Sequence, residues 1–106
     1  AIDSEILKIA EINEYEMIHI YNLKNGERFS TYAIKAEAGS GVVTLNGAAA
    51  FKGSRNDLVI ICTYAYLDSK DVKKHKPKLV YFKEGTNVIN ETKSSIKVQK
   101  NNIINL

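Results

Sequence analysis

The 106-residue chain contains one cysteine, one proline and no tryptophan, and it has no long apolar run. Each shortage excludes something. A lone Cys62 forms no internal disulfide, and with only His19 and His75 beside it there is no metal-ligand spacing. No apolar stretch approaches the ~18 residues that a membrane-spanning helix needs, and no signal peptide is read at the start. A cytoplasmic protein with no membrane partner is expected. One-sided charge is also scarce. The formal net charge is +3, yet residues 1–92 hold 12 basic and 12 acidic side chains. Lys93, Lys97 and Lys100 supply the whole excess. A neutral folded part offers no phosphate-binding face, so nucleic acid is not an expected partner.

What is present reads as one small soluble domain. Apolar residues make up 44% and charged residues 25%, which is ordinary for a globular chain. A chain of this size buries only ~65% of the surface it exposes unfolded. Residues 1–92 read as the folded domain. Residues 93–106, rich in Asn, Lys and Ser, offer little to bury and read as a loosely held basic tail.

Asp3 is placed to cap a short helix running through Ala10, with Ile6, Leu7 and Ala10 on one face. Met17 to Tyr21 predicts a strand, with Ile18 and Ile20 on one side and Met17, His19 and Tyr21 on the other. His19 reads as a half-buried strand residue. Asn25-Gly26 signals a tight hairpin turn into a strand from Arg28 to Ala36. Ala38-Gly39-Ser40-Gly41 is a second turn, and Val42 to Leu45 a short strand. Gly53 to Asp57 is a connection. Leu58 to Tyr66 is apolar at nearly every position, which predicts a strand buried on both faces and makes Cys62 a core thiol. Asp68 to His75 predicts one or two helical turns ended by Pro77. Leu79 to Phe82 and Val88-Ile89 predict short strands around Glu84-Gly85. Several short strands separated by turn signals indicate an all-β fold, a small β-barrel with short helices.

Within this frame Asn25 to Ile34, NGERFSTYAI, is the stretch richest in chemistry. Arg28, Ser30, Thr31 and Tyr32 put a guanidinium, two hydroxyls and a phenol within five residues. The plainer reading is an edge strand with polar residues outward. Asn46-Gly47-Ala48-Ala49-Ala50 also has two readings. It is a turn opening a helix, since alanine is the best helix former. Or it is a loop of small residues whose uncovered N–H groups admit a ligand.

Together these segments resemble a known family. NGERFSTYAI followed by NGAAA is similar to the pyruvoyl-dependent aspartate 1-decarboxylases. Ala1-Ile2-Asp3 resembles the segment just after that family's self-cleavage site, Asp57-Leu58-Val59-Ile60-Ile61 its long core strand, and Lys76-Pro77-Lys78-Leu79-Val80 its late strand. The resemblance implies a double-psi β-barrel and a zymogen that cuts itself at a Gly-Ser bond. The serine, just upstream of Ala1, becomes a covalent pyruvoyl cofactor, and a short upstream β chain is released. A homotetramer with its sites between subunits is implied as well. The implied reaction converts L-aspartate to β-alanine and carbon dioxide through a Schiff base, supplying pantothenate and coenzyme A biosynthesis. In this family's pattern Arg28 holds a substrate carboxylate, Thr31 donates its hydroxyl, and Tyr32 returns a proton to the α-carbon. Gly47, Ala48 and Ala49 line the substrate site, where the loop reading of NGAAA is preferred, and Asn46 is placed to stabilise an oxyanion. One departure is Asn56-Asp57, where the family has Gly-Asp; Asn tolerates positive φ, so the turn is expected to survive. On a regular strand Arg28 and Tyr32 face one way and Thr31 the other. A bend, a bulge or a site between subunits is then needed to bring all three together. Two competing readings are a non-catalytic β-barrel binding module and a pyruvoyl decarboxylase acting on another amino acid such as glutamate.

Overall fold

The hairpin at the start of NGERFSTYAI is the centre of the architecture. In the computed structural model, which describes residues 1–99, β2 (Met17–Asn22) and β3 (Arg28–Tyr32) pair antiparallel, Tyr21 opposite Arg28 and Met17 opposite Tyr32. The turn is not the tight two-residue one expected. Asn22 donates its N–H to the Glu27 carbonyl at 2.9 Å, which leaves residues 23–26 as a four-residue loop. The Asn22 side chain is the reason. Its Oδ1 accepts from the Lys24 and Asn25 N–H groups at 2.8 and 3.3 Å, fixing the loop from inside. Its Nδ2 donates to the Lys52 carbonyl at 3.2 Å and to Asp57 Oδ2 at 2.9 Å.

The expected Arg28–Ala36 strand is broken. It leaves β2 after Tyr32 and resumes as β4 (Lys35–Ala36), which pairs parallel with β1 (Ile2–Asp3). Between them Ala33 is buried and bonded both ways to the Tyr15–Glu16 segment, its N–H to Glu16 O at 3.0 Å and its carbonyl from Tyr15 N at 2.7 Å. Ile2 donates to the Ile34 carbonyl at 2.8 Å. The break carries the chain from one sheet to another.

Helix α1 (Ser4–Ala10) begins where the sequence places it, with the Asp3 carboxylate accepting from Glu5 N at 2.8 Å. That carboxylate also takes the N–H groups of Gly39 at 3.0 Å and Gly41 at 2.8 Å. Both glycines have positive φ, 78° and 68°, which lets the turn wrap around a buried anion. Residues 42–44 then run antiparallel to the N-terminus, joined by an Ile2–Val43 bridge and by the Thr44 N–H to the Ala1 carbonyl at 2.8 Å. The Val42–Leu45 strand is thus reduced to that bridge.

The remaining strands are β5 (Val59–Cys62), antiparallel to the other edge of β2, and the hairpin β6 (Leu79–Phe82) with β7 (Ile89–Lys93). Helix α2 (Ser69–Val72) covers one turn of the expected segment. Asn56 has φ 71°, the conformation its side chain tolerates. The fold is all-β with short helices, in three hydrogen-bonded sets: β1–β4, β3–β2–β5 and β6–β7. Residues 94–99 are exposed coil; the part of the expected tail from residue 100 lies outside the described residues.

One expectation fails outright. Leu58 to Tyr66 is not a strand buried on both faces. β5 is four residues long, and Leu58, Ile60, Tyr64 and Tyr66 are exposed. Cys62 is half-buried rather than a core thiol. The single chain has nothing to lay on the outward side of β5. The core is Ile2, Leu7, Ile18, Ile20 and Ala33, with Ile6, Ile12, Phe29, Val43, Leu45, Val59 and Ile61 packed around it. Among the described residues no helix is long and apolar enough to cross a membrane.

Candidate active site

The alternation of the sheet β3–β2–β5 decides which groups share a surface. Its inward face carries Ile18, Ile20, Thr31, Val59 and Ile61. Across from these run Ala1, Ile2 and the Val43–Gly47 segment, and between the two lies a cavity of about 170 Å³. That is smaller than the ~300–1,000 Å³ of sites for drug-sized ligands, so it suits a small molecule. Thr31, Tyr32, Asn46, Gly47 and Ala49 line it, all of them expected site residues. Tyr32 borders the cavity from the end of β3, where alternation sets it on the Arg28 side of the strand, and 55% of its surface is exposed.

Two expected residues lie elsewhere. Ala48 is exposed and is not part of the cavity wall. The cause is local: the segment from Gly47 to Lys52 is a 3-10 helix rather than the open loop preferred from the sequence. Gly47 and Ala49 border the cavity from this helix and Ala48 does not. Gly47 has φ 60°, so a side chain there would be strained. Asn46 precedes this helix without capping it; its Oδ1 accepts from the Thr44 hydroxyl at 3.3 Å, which leaves the amide N–H groups free.

Arg28 is on the outward face of the sheet. Its guanidinium carbon lies 4.1 Å from the centre of the Tyr21 ring, in a cation–π stack. Among the described residues no carboxylate forms an ion pair with it. Tyr21 in turn shares a 2.7 Å hydrogen bond with the Tyr64 hydroxyl, and Tyr64 packs edge-on against His19 at 5.2 Å. The Tyr64 phenol is pushed up to about 12, first by that bond to Tyr21 and then by burial and by the neighbouring Tyr21 and Cys62. Sequence reasoning missed Tyr21 and Tyr64. Tyr21 was within reach, because the register of the hairpin sets it opposite Arg28 once the loop length is known.

Ala1, which the resemblance sets just after the expected pyruvoyl group, lines the cavity, and its nitrogen donates to the Thr44 carbonyl at 2.8 Å. Burial lowers its pKa. Among the described residues no group of three His, Cys, Asp or Glu side chains could hold a metal ion.

The chain is similar to known proteins of one family. A family model described as aspartate decarboxylase matches residues 1–89. The aspartate 1-decarboxylase of Azotobacter vinelandii is 52% identical over 99 residues, covering 93% of this chain and 78% of that protein. That of Hydrogenovibrio crunogenus is 50% identical over 99 residues, covering 93% and 76%. That of Nitrosococcus oceani is 52% identical over the same length, covering 93% and 78%.

Proposed function

This chain belongs to the aspartate decarboxylase family, and on that premise we propose that it converts L-aspartate to β-alanine and carbon dioxide in the cytoplasm, for pantothenate and coenzyme A synthesis. The observation that carries the reading is the convergence of Thr31, Tyr32, Asn46, Gly47 and Ala49 with the Ala1 nitrogen on one small cavity. The domain responsible is taken as residues 1–92.

A pyruvoyl group just upstream of Ala1 would supply, when present, the carbonyl electron sink that lets a carboxylate leave. The residues fit such a group. Ala1 borders the cavity and pairs antiparallel with Thr44. A short upstream β chain from the same precursor belongs to this reading, since the precursor must be cut to expose the group. A chain continuing upstream in that register would run beside Leu45 and Asn46, which are cavity walls.

The protein's own groups then divide the work. The Asn46 amide and the Gly47 N–H are donors for developing negative charge on oxygen. Thr31 offers a hydroxyl to the bound substrate from the cavity wall. Tyr32 Oη gives a proton to the substrate carbon that has lost its carboxylate. Arg28 presents five donors without an acidic partner, a fork that matches a carboxylate bidentately.

Arg28 and the cavity are on opposite faces of one sheet, so a single chain does not bring them together. This supports a homotetramer with sites between subunits, in which the Arg28 face of one copy meets the cavity of the next. The surface area supports it too. The chain exposes 8676 Å², against about 5,900 Å² for a compact monomer of its mass. The coil after β7 adds to that figure, and so do Leu58, Ile60, Tyr64 and Tyr66.

The test is Tyr32→Phe, which keeps the ring and removes the proton. Material shown by intact mass to carry the pyruvoyl group should bind aspartate and form β-alanine at least ~100-fold more slowly. A rate close to wild type would remove Tyr32 from its role. An intact mass showing one uncut chain without a carbonyl-bearing terminus in active protein would remove the cofactor.

A further inference from the structure

The outward face of the sheet holds a chain of contacts that the reaction as described does not use. Arg28 stacks on Tyr21 at 4.1 Å, Tyr21 shares a 2.7 Å hydrogen bond with Tyr64, and Tyr64 rests edge-on against His19 at 5.2 Å. The strand register lets this happen. Tyr21 is directly opposite Arg28 on β3 and opposite Ile60 on β5, so its ring lies between the two neighbouring strands on one face. Tyr64 follows the end of β5, outside any ladder, and its hydroxyl reaches back 43 residues in sequence.

We propose that Tyr64 is a positioning residue: by holding the Tyr21 ring it fixes the plane of the Arg28 guanidinium that receives the substrate carboxylate. This rests on the reading of Arg28 as the carboxylate clamp. Arginine is a long, rotamer-rich side chain, and bidentate recognition requires its fork to be aimed. Here no acidic side chain among the described residues aims it. An acidic partner would compete with the substrate carboxylate, whereas an aromatic face orients the cation and leaves all five N–H donors free. A tyrosine ring on an exposed face turns about its side-chain torsions. The Tyr21–Tyr64 bond removes that freedom, and the edge contact with His19 fixes the far end. Ordering the clamp before the substrate arrives lowers the entropic cost of binding. Either hydroxyl can be the donor, so the bond persists with either orientation.

The effect should fall on binding more than on turnover. Tyr64→Phe keeps the ring and its edge contact with His19 but deletes the hydrogen bond. In fully processed protein it should raise KM for aspartate about 3- to 10-fold and leave kcat within about 2-fold. Tyr21→Phe deletes the same bond from its other end and should match it. Arg28→Gln should raise KM by itself, and adding Tyr64→Phe to it should raise KM no further. An unchanged KM in Tyr64→Phe, beside a raised KM in Arg28→Gln, would overturn the bracing role alone. So would the same KM increase from Tyr64→Phe in the Arg28→Gln background, or a fall in kcat at constant KM. An unchanged KM in Arg28→Gln would instead overturn the clamp, and the brace with it.

Discussion

The first third of the chain and the rest of it are built differently. Every buried residue of the described chain lies at or before Ala33: Ile2, Leu7, Ile18, Ile20 and Ala33, with the polar Asp3 and Asn22. From Phe51 onward no described residue is buried and large apolar side chains are exposed, among them Leu58, Ile60, Tyr64, Tyr66, Val72 and Val88; the first third also exposes Tyr15, Met17, Leu23 and Tyr32 but closes a core beneath them. The two regions are not distinguished by hydrophobicity. Leu58 to Ala65 is as apolar a run as any in the sequence. They differ in whether the same chain supplies the other side of the contact. Ile18 and Ile20 meet Ile2 and Leu7, which return over them through β1 and α1. Ile60 and Tyr64 have only the single layer of Tyr21 and His19 beside them, and both stay exposed. An apolar face left open next to Arg28 is where a second copy has the most to contribute.

The sharpest way to break that contrast is to truncate one residue on each side of it. Ile20→Ala opens a cavity in the closed core and should cost ~2–5 kcal/mol at any protein concentration. Ile60→Ala should cost within ~0.5 kcal/mol in dilute protein, where the chain is alone, and more as concentration rises and the face is covered. Denaturant titrations at two widely spaced concentrations, with sedimentation to follow association, separate the cases. A concentration-independent cost of several kcal/mol for Ile60→Ala would mean that its own chain buries it, and the contrast would collapse.

Arg28→Lys comes next in size. The point charge and the net charge survive, but the planar fork and its stack on Tyr21 do not. The expected loss in kcat/KM is ~1.5–3 kcal/mol, that of charged hydrogen bonding to one carboxylate. Turnover near wild type at subsaturating aspartate would show that the open face takes no part in binding.

These residues also mark what was legible in the sequence. Local rules read well: the Asp3 cap, the alternation of Ile18 and Ile20, and the Asn56 turn each depend on neighbours a few positions away. Two-stranded register did not read. A two-residue Asn25-Gly26 turn would set Leu23 opposite Arg28; the four-residue loop sets Tyr21 there, held by the Asn22 and Asn25 side chains. The long-range partners of Asp3 were equally hidden, because Gly39 and Gly41 are brought to it by topology rather than spacing. The exposure of Leu58 to Tyr66 was misread for another reason. An apolar run looks the same whether its own chain or another copy covers it. In the site, the chemistry of Thr31 and Tyr32 was visible from their types and family pattern. That Arg28 and Thr31 face opposite ways was legible from strand alternation; that the cavity lies on the Thr31 side required the fold.

The smallest expected effect is one that vanishes with pH, and it concerns the closed region. Asp3 is only 3% exposed, and its carboxylate accepts N–H groups from Glu5, Gly39 and Gly41. Its pKa is lowered from 3.8, chiefly by the Gly41 N–H, with Glu5, Gly39 and Ile6 adding to this and burial opposing it. A depressed folded-state value means that the unfolded chain takes up the proton first as the solution is acidified. The stabilisation from this group is therefore fully present above the ordinary carboxyl range and is lost as pH falls through the folded value. The amide introduced by Asp3→Asn resembles the protonated aspartic acid: neutral, with one strong acceptor oxygen in place of two. Asp3→Asn should thus be less stable than wild type at pH 7, and the gap should close as pH is lowered below 3.8. Unfolding midpoints for both proteins between neutral pH and about pH 2 measure it. A gap that stays constant through the acid range would mean that the Gly39–Gly41 turn is held by its shape and not by the charge on Asp3.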